Sequence, residues 1–433
     1  MSFYGKENVY PACKEREAEF IGCELFGEDG EKLCPVYAMH FRPQGDALVC
    51  GEGAEEAEAV LPEGVTSLYE NGRGALYAFT DKGFYACGTG EPVLLGINTG
   101  RPVAVISCPD KDSAYSDYAV TNADVLRLNK SGFVPTGGQG GSCAAYHYER
   151  LFTAKEMRVR FSKPLEAWNW TNEAQGAGYI DLPPAGGNVI SILSFKDKLY
   201  LFRERGITQL RALGDNLNFK LTVMPVQCGK ILAGSPADCG SHILFLAEDG
   251  LYSFNGGTCK RWENSGFDLI DGAQEITASA RGGRYFASVA LKSGGRCLFC
   301  ADAETEKSWF LRGEALFPAG GDGTLFAFEG KTYRIRERGF FPDTENCCTL
   351  ETAPLSLGTA ARKYVDAITL TGAGDFRVQV RSDEKKSETV CGRAGEKINF
   401  PTPVAGRSFL FRILTVSPRA ALRGAIVRFR EEE

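Results

Sequence analysis

Three histidines, His40, His147 and His242, are all that this 433-residue chain offers for imidazole chemistry. They stand far apart and lack the HxH or HxxxH spacing that brings two rings to one metal. No GxSxG turn raises a nucleophilic serine. His147 falls in the strand-like run Ala145-Tyr146-His147-Tyr148 and reads as a satisfied core or rim histidine. Cys297-Leu298-Phe299-Cys300 has CxxC spacing, but two large apolar residues fill the spacer where a zinc knuckle or redox turn takes Gly, Pro or polar residues. These cysteines read as small buried hydrophobes. Thr136-Gly137-Gly138-Gln139-Gly140-Gly141-Ser142 could cradle a phosphate through backbone N–H groups. It lacks the Walker lysine and a following helix, so it reads as a connecting loop. Asp110, Asp112 and Asp117 begin like a calcium loop. Ala114, Tyr115 and Thr121 then stand where a ligand, a Gly and the closing Glu belong, which excludes an EF-hand. Asp181, Asp215, Asp249 and Asp322 sit in turn contexts, where Asp serves backbone hydrogen bonds more readily than glycoside hydrolysis. The expectation is a non-enzymatic protein without metal or cofactor.

Two binding features remain. Trp168 and Trp170, in Ala167-Trp168-Asn169-Trp170-Thr171, could stack a sugar or a base, or pack between structural elements. Packing is the simpler reading. Asn169-Trp170-Thr171 also matches a glycosylation sequon, which means little without secretion. Arg377, Arg381, Arg407 and Arg412 are the candidates for contacting phosphate if the chain meets nucleic acid. Such contacts would weaken with salt as counterions are released.

The elements that must position these residues are strands. Seven apolar anchors recur: Leu76-Tyr77-Ala78-Phe79, Tyr118-Ala119-Val120-Thr121, Leu151-Phe152-Thr153-Ala154, Leu199-Tyr200-Leu201-Phe202, Ile243-Leu244-Phe245-Leu246, Tyr285-Phe286-Ala287-Ser288 and Leu325-Phe326-Ala327-Phe328. Their offsets are 42, 33, 48, 44, 42 and 40 residues, the length of one β-propeller blade. Each reads as a half-buried strand. Asp81-Lys82-Gly83, Glu248-Asp249-Gly250 and Lys292-Ser293-Gly294-Gly295 supply the positive φ that tight hairpins need. Arg203-Glu204-Arg205-Gly206 and Arg336-Glu337-Arg338-Gly339 repeat one motif at or just after a hairpin. They read as duplicated structure first and as a binding pair second. The best helical signal, Gly53 to Val60, is short and soon meets Leu61-Pro62.

The fold class expected is all-β, a seven-bladed propeller followed by a small C-terminal β-sandwich. Residues 1–35 form an N-terminal segment that either closes the ring or packs on the C-terminal domain. Residues 36–350 form the propeller and 351–433 the sandwich, with the boundary near Cys347 to Leu357. Four sandwich strands are legible, at Val365 to Leu370, Phe376 to Arg381, Phe409 to Ile413 and Ala425 to Phe429. Gly372-Ala373-Gly374-Asp375 is expected to join the first two as a hairpin.

Charge and cysteine usage bound the setting. From Thr352 onward there are 14 Lys and Arg against 9 Asp and Glu, net +5, and the remainder is net −11. An acidic body with a basic tail domain can steer partners, or its two parts can attract each other. No run of 18 apolar residues is present, so no membrane span is expected. The start, Met1-Ser2-Phe3-Tyr4-Gly5-Lys6, lacks an apolar signal core, which predicts cytoplasmic synthesis. Fifteen cysteines, an odd count scattered through strand-like segments, predict free thiols rather than a disulfide framework.

Several segments, in order, resemble the packaged-DNA stabilisation proteins of phage and similar head-to-tail connector or tail-hub propeller proteins of prophages. The likeness begins at Ala144-Ala145-Tyr146-His147-Tyr148-Glu149-Arg150-Leu151-Phe152, where Glu149 stands in place of the family's Gly. It continues through Arg160-Phe161-Ser162-Lys163-Pro164 with Trp168 following, then Leu199 to Ile207, Leu213-Gly214-Asp215 and Phe219. Cys228-Gly229, Ser235 and Phe245 to Gly256 carry the family's aspartate-glycine-x-tyrosine signature. Arg362-Lys363-Tyr364, Val380-Arg381-Ser382-Asp383 and Gly406-Arg407-Ser408-Phe409 look like its tail-protein sandwich. The likeness is good over Cys143 to Phe254, loose in the C-terminal domain and weak over residues 1–130. It implies a structural role at the portal exit or in the tail, partnered by other virion proteins and by copies of itself in a ring. It carries no catalytic residues. A protein-interaction scaffold and a glycan-binding or glycoside-processing propeller are the alternatives.

Overall fold

The structure is a computed structural model that describes residues 13–27, 30–71, 73–171, 176–272, 276–312, 331–337, 339 and 347–432, and the backbone of 325–328. Strands dominate. Among the described residues the helical turns are three short 3₁₀ segments, Pro184–Gly186, Asn216–Asn218 and Phe267–Leu269. No helix among them is long and apolar enough to cross a membrane.

The anchors form the second strand of seven consecutive antiparallel sheets. Blade 1 runs Ser67–Glu70, Leu76–Phe79, Gly83–Cys87 and Val93–Ile97. Blade 2 runs Pro102–Pro109, Tyr115–Thr121, Asp124–Asn129 and Gly132–Gln139. Blade 3 runs Cys143–His147, Arg150–Lys155, Arg158–Phe161 and Gly178–Asp181. Blade 4 runs Val189–Phe195, Lys198–Arg203, Gly206–Arg211 and Lys220–Val223. Blade 5 runs Ala237–Asp238, Ile243–Ala247, Gly250–Phe254 and Cys259–Arg261, and blade 6 Thr277–Arg281, Arg284–Ala290, Arg296–Asp302 and Lys307–Arg312. Blade 7 joins Leu325–Phe328 and Lys331–Arg336 to Gly53–Val60. The first strands of blades 1 to 6 lie side by side in succession. Arg334 of blade 7 reaches Glu70 of blade 1 at 4.0 Å. This is a seven-bladed β-propeller.

Its core lies between blades. Phe152, Phe161 and Leu201 pack blade 3 on blade 4, and Tyr200, Phe202, Phe245 and Phe254 pack blade 4 on blade 5. The six anchors with described side chains are buried at every position, on both faces, rather than half-buried. A strand at mid-blade has a neighbouring sheet above and below it, so both of its faces must be apolar or small. Outer strands are wetter, and Lys220–Val223 is exposed throughout.

Gly53–Val60 is a strand, not a helix. The cause is tertiary: Thr332 Oγ1 donates to the Ala57 and Ala59 carbonyls at 3.1 and 2.8 Å, and Lys331 pairs with Glu56 at 2.9 Å. Arg336 pairs with Glu55 across the same two strands. Ala and Glu carry only a weak helical preference, which such pairing overrides. The ring is therefore closed by residues beyond the 1–35 segment.

The second unit gathers Met1–Gly53, Trp309–Leu311 and Glu337–Glu433 by contact. Residues 36–53, 337, 339 and 347–350 thus group with the sandwich and not with the propeller. One sheet orders Phe41–Gln44, Ala47–Cys50, Ala421–Glu432, Lys363–Ala373 and Lys397–Gly406, with Cys13–Ile21 also pairing on Ala421–Glu432. The other orders Pro35–Met39, Cys348–Thr352, Phe409–Thr415, Asp375–Ser382 and Val390–Arg393. The expected hairpin at Gly372–Asp375 is a corner instead, carrying the chain from one sheet to the other. Gly372 has φ +134°, and a Cβ there would lie 2.0 Å from the Ala421 carbonyl oxygen, so only glycine allows this approach. The two Arg-Glu-Arg-Gly copies also differ. Arg203–Gly206 makes a hairpin turn, whereas Arg336 ends a strand; Arg338 lies outside the described residues.

Candidate interaction surface

Several acidic residues of the propeller serve its own turns, strands and joints. Asp117 accepts hydrogen bonds from Asn71 Nδ2 at 2.9 Å and from the Tyr77 and Ser107 hydroxyls, tying blade 2 to blade 1. Asp110 Oδ1 accepts the backbone N–H groups of Asp112 and Ala114 at 3.0 and 2.9 Å, a turn role rather than a calcium role. Asp181 pairs with Arg158, Asp215 caps Leu217 N at 3.0 Å, and Asp249 accepts from Gly229 N and the Tyr252 hydroxyl. Asp322 lies outside the described residues. No group of three or more His, Cys, Asp or Glu that could hold a metal occurs among the described residues.

His147 is buried and its Nδ1 lies 2.8 Å from the Ser194 hydroxyl of blade 4. Burial disfavours the imidazolium and holds its pKa down at about 4. The ring is a neutral joint between blades. Cys297 and Cys300 are three residues apart on one buried strand and so face opposite sides, which keeps them from sharing a ligand. The glycine-rich stretch ends the outer strand of blade 2. A Cβ on Gly140 or Gly141 would lie 2.0 or 2.1 Å from the Thr121 or Ala154 carbonyl oxygen, so close backbone approach accounts for these glycines.

Trp168 and Trp170 are half-buried and pack against Cys108, Tyr118, Val125 and Leu151 between blades 2 and 3. The Arg127 guanidinium lies 4.4 Å from the centre of the Trp168 ring. Two arginines, Arg150 and Arg203, are buried in blades 3 and 4. Arg150 donates to the carbonyls of Ser162, Gly176 and Gly214, and sits 5.5 Å from the rings of Phe161 and Phe219. Arg203 donates to the carbonyls of Pro183 and Gly187. Burial pulls both below the usual arginine range. In sequence each is a basic residue flanking an apolar anchor, and Arg203 also opens an Arg-Glu-Arg-Gly repeat.

The sandwich turns its charge the other way. In Asp375–Ser382, Phe376, Val378 and Val380 point inward, leaving Arg377, Gln379 and Arg381 outward. Phe409, Phe411 and Ile413 do the same for Leu410, Arg412 and Leu414. The register sets Arg377 opposite Leu414, Gln379 opposite Arg412 and Arg381 opposite Leu410, so all share one face. The next strand places Cys391 opposite Arg377 and Arg393 opposite Asp375, and Lys386 bridges to Arg381. This outer face therefore carries Arg377, Arg381, Lys386, Arg393 and Arg412. Asp375 shares the face, Glu396 lines one pocket with Arg377 and Arg393, and Glu351 pairs with Arg412 at 3.3 Å. Arg377, Arg381, Lys386 and Arg393 are exposed. Arg407 lies off the face, in the turn between the two sheets. Its backbone N–H donates to Asp383 Oδ1 at 2.9 Å, a bond that holds the Asp383 carboxyl below its usual range. Arg393 and Lys386 escaped sequence reading because Val390–Arg393 is only four residues long and contains a glycine.

No family model matches the chain, and no curated protein does. Solved structures similar to it include an extracellular domain assigned to a one component system of B. thetaiotaomicron, at 13% identity and TM-score 0.42. The match covers 81% of this chain and 46% of that one, so the chain spans under half of that domain. The Pan2 WD40 domain of Neurospora crassa matches at 10% identity and TM-score 0.41, covering 68% of this chain and 95% of that one. Virginiamycin B lyase from Staphylococcus aureus matches at 12% identity and TM-score 0.41, covering 65% and 98%. The seven-sheet topology, not these likenesses, establishes the propeller.

Proposed function

We propose that this chain is a non-enzymatic assembly protein of a phage or prophage head–tail connector or tail, which docks an acidic partner protein on the basic outer face of its sandwich. The observation that supports the reading is the shared face of Arg377, Arg381, Lys386 and Arg393, where these cations outnumber the acids Asp375 and Glu396 beside them. A face with an excess of one sign favours association with the opposite sign. The in-order resemblance over Cys143 to Phe254 supplies the virion context. The propeller then acts as a rigid platform. The packing of Trp168 and Trp170 between blades favours this reading over a glycan-binding one.

The test is light-scattering mass on the purified chain, alone and mixed with a candidate portal or tail protein. A defined complex or a ring-sized oligomer is expected. A monomer that ignores that partner would contradict the proposal. Duplex DNA is run in parallel. DNA binding that falls steeply with salt, without a protein complex, would reassign the face to phosphate.

A further inference from the structure

We propose that Cys50 and Cys348 form a disulfide joining the two sheets of the sandwich when the chain folds in an oxidising medium. Cys50 ends the strand Ala47–Cys50 of one sheet, and Cys348 begins Cys348–Thr352 of the other. Their sulfurs are 2.9 Å apart. That is closer than apolar heavy atoms rest, roughly 3.5–4.0 Å, and within about 1 Å of an S–S bond. Both residues have zero exposure. Each thiol also has a backbone acceptor: Cys50 Sγ donates to the Ser417 carbonyl at 3.0 Å and Cys348 Sγ to the His40 carbonyl at 3.4 Å. Phe41, next to His40, pairs directly with Cys50. The backbone thus holds the two sulfurs together from both sides. Cys347 is a less suitable partner, since its sulfur faces Thr349 Oγ1 at 3.7 Å.

The chemistry is thiol–disulfide exchange with a small-molecule disulfide. One cysteine thiolate attacks a sulfur of the oxidant and releases one small thiol. The second cysteine then attacks the mixed disulfide and releases another. Two cysteine thiols give up two protons and two electrons, and the oxidant's S–S bond is reduced to two thiols. In the folded chain the Cys348 thiol is pushed far above its usual range by its contact with Cys50 and by burial, so little thiolate is present. The bond therefore forms during folding rather than by attack on the native protein. The sequence separation is 298 residues and encloses the propeller segment. A bond closing so long a loop restricts the unfolded chain strongly.

The test refolds the reduced full-length chain with oxidised and reduced glutathione, alkylates the remaining thiols and maps peptides without reduction. The expected result is a Cys50–Cys348 linked peptide with Cys347 alkylated. The melting midpoint should stand several degrees above that of Cys50→Ser refolded in the same way, with the gap closing after reduction. Recovery of Cys50 and Cys348 both alkylated, or Cys50 linked elsewhere, would overturn the proposal. The map is made on the unmutated protein, so the result does not depend on whether the variant folds.

Discussion

The propeller and the sandwich use arginine in opposite ways. In blades 3 and 4 the guanidinium groups of Arg150 and Arg203 are buried and held by backbone carbonyls. On the sandwich, Arg377, Arg381 and Arg393 stand exposed along paired strands. A buried cation that fills its hydrogen bonds stabilises the fold. An exposed one in a row of like charges adds little to stability and is available to a partner. Residue type alone does not separate these roles; the neighbours do.

Substitutions should split along that line, most strongly at the buried end. Arg150→Met leaves the Ser162, Gly176 and Gly214 carbonyls without their donor, and should cost roughly 2–4 kcal/mol in urea unfolding. A loss under about 0.5 kcal/mol would erase the contrast. Next comes acid sensitivity at His147. Its ring titrates near 4 in the fold and near 6.5 when unfolded, so only the unfolded chain takes up the proton between these values. Stability should therefore rise with pH from about 4 to about 6.5, by roughly 3 kcal/mol at most. His147→Gln should flatten that limb in a pH series of thermal melts. Asp117→Ala removes the acceptor shared by Asn71, Tyr77 and Ser107, and should cost about 1–3 kcal/mol by the same unfolding assay. Smallest of all, charge reversal at Arg377, Arg381 and Arg393 should change stability by only about 0.5 kcal/mol per site. A large loss there would mean that the face is structural.

The strands that build the propeller were legible because each anchor is a short apolar and aromatic run followed by turn chemistry, as at Phe245 to Tyr252. The pairing of remote segments was not. Cys13–Ile21 is rich in Glu, Lys and Arg, and becomes a strand only because Ala421–Glu432 lies beside it along its whole length. Gly53–Val60 carries helix-forming residues and is a strand because Lys331–Arg336 is its neighbour. The corner at Gly372–Asp375 looks like a hairpin turn in sequence, since glycines serve both. Alternation alone turned Arg377, Arg381 and Arg412 outward from their strands; the register put them on one face. Arg393 and Lys386 needed the register.

The central claim, that the sandwich face binds acidic partners while the propeller's charges hold the fold, is tested most directly by fluorescence anisotropy with labelled poly-glutamate. The full chain should be compared with its Arg377→Glu, Arg381→Glu, Arg393→Glu variant at low and high salt. The account predicts binding by the unmutated chain at low salt, at least tenfold weaker binding by the variant, and similar melting midpoints for both. Equal binding by the two proteins would contradict it.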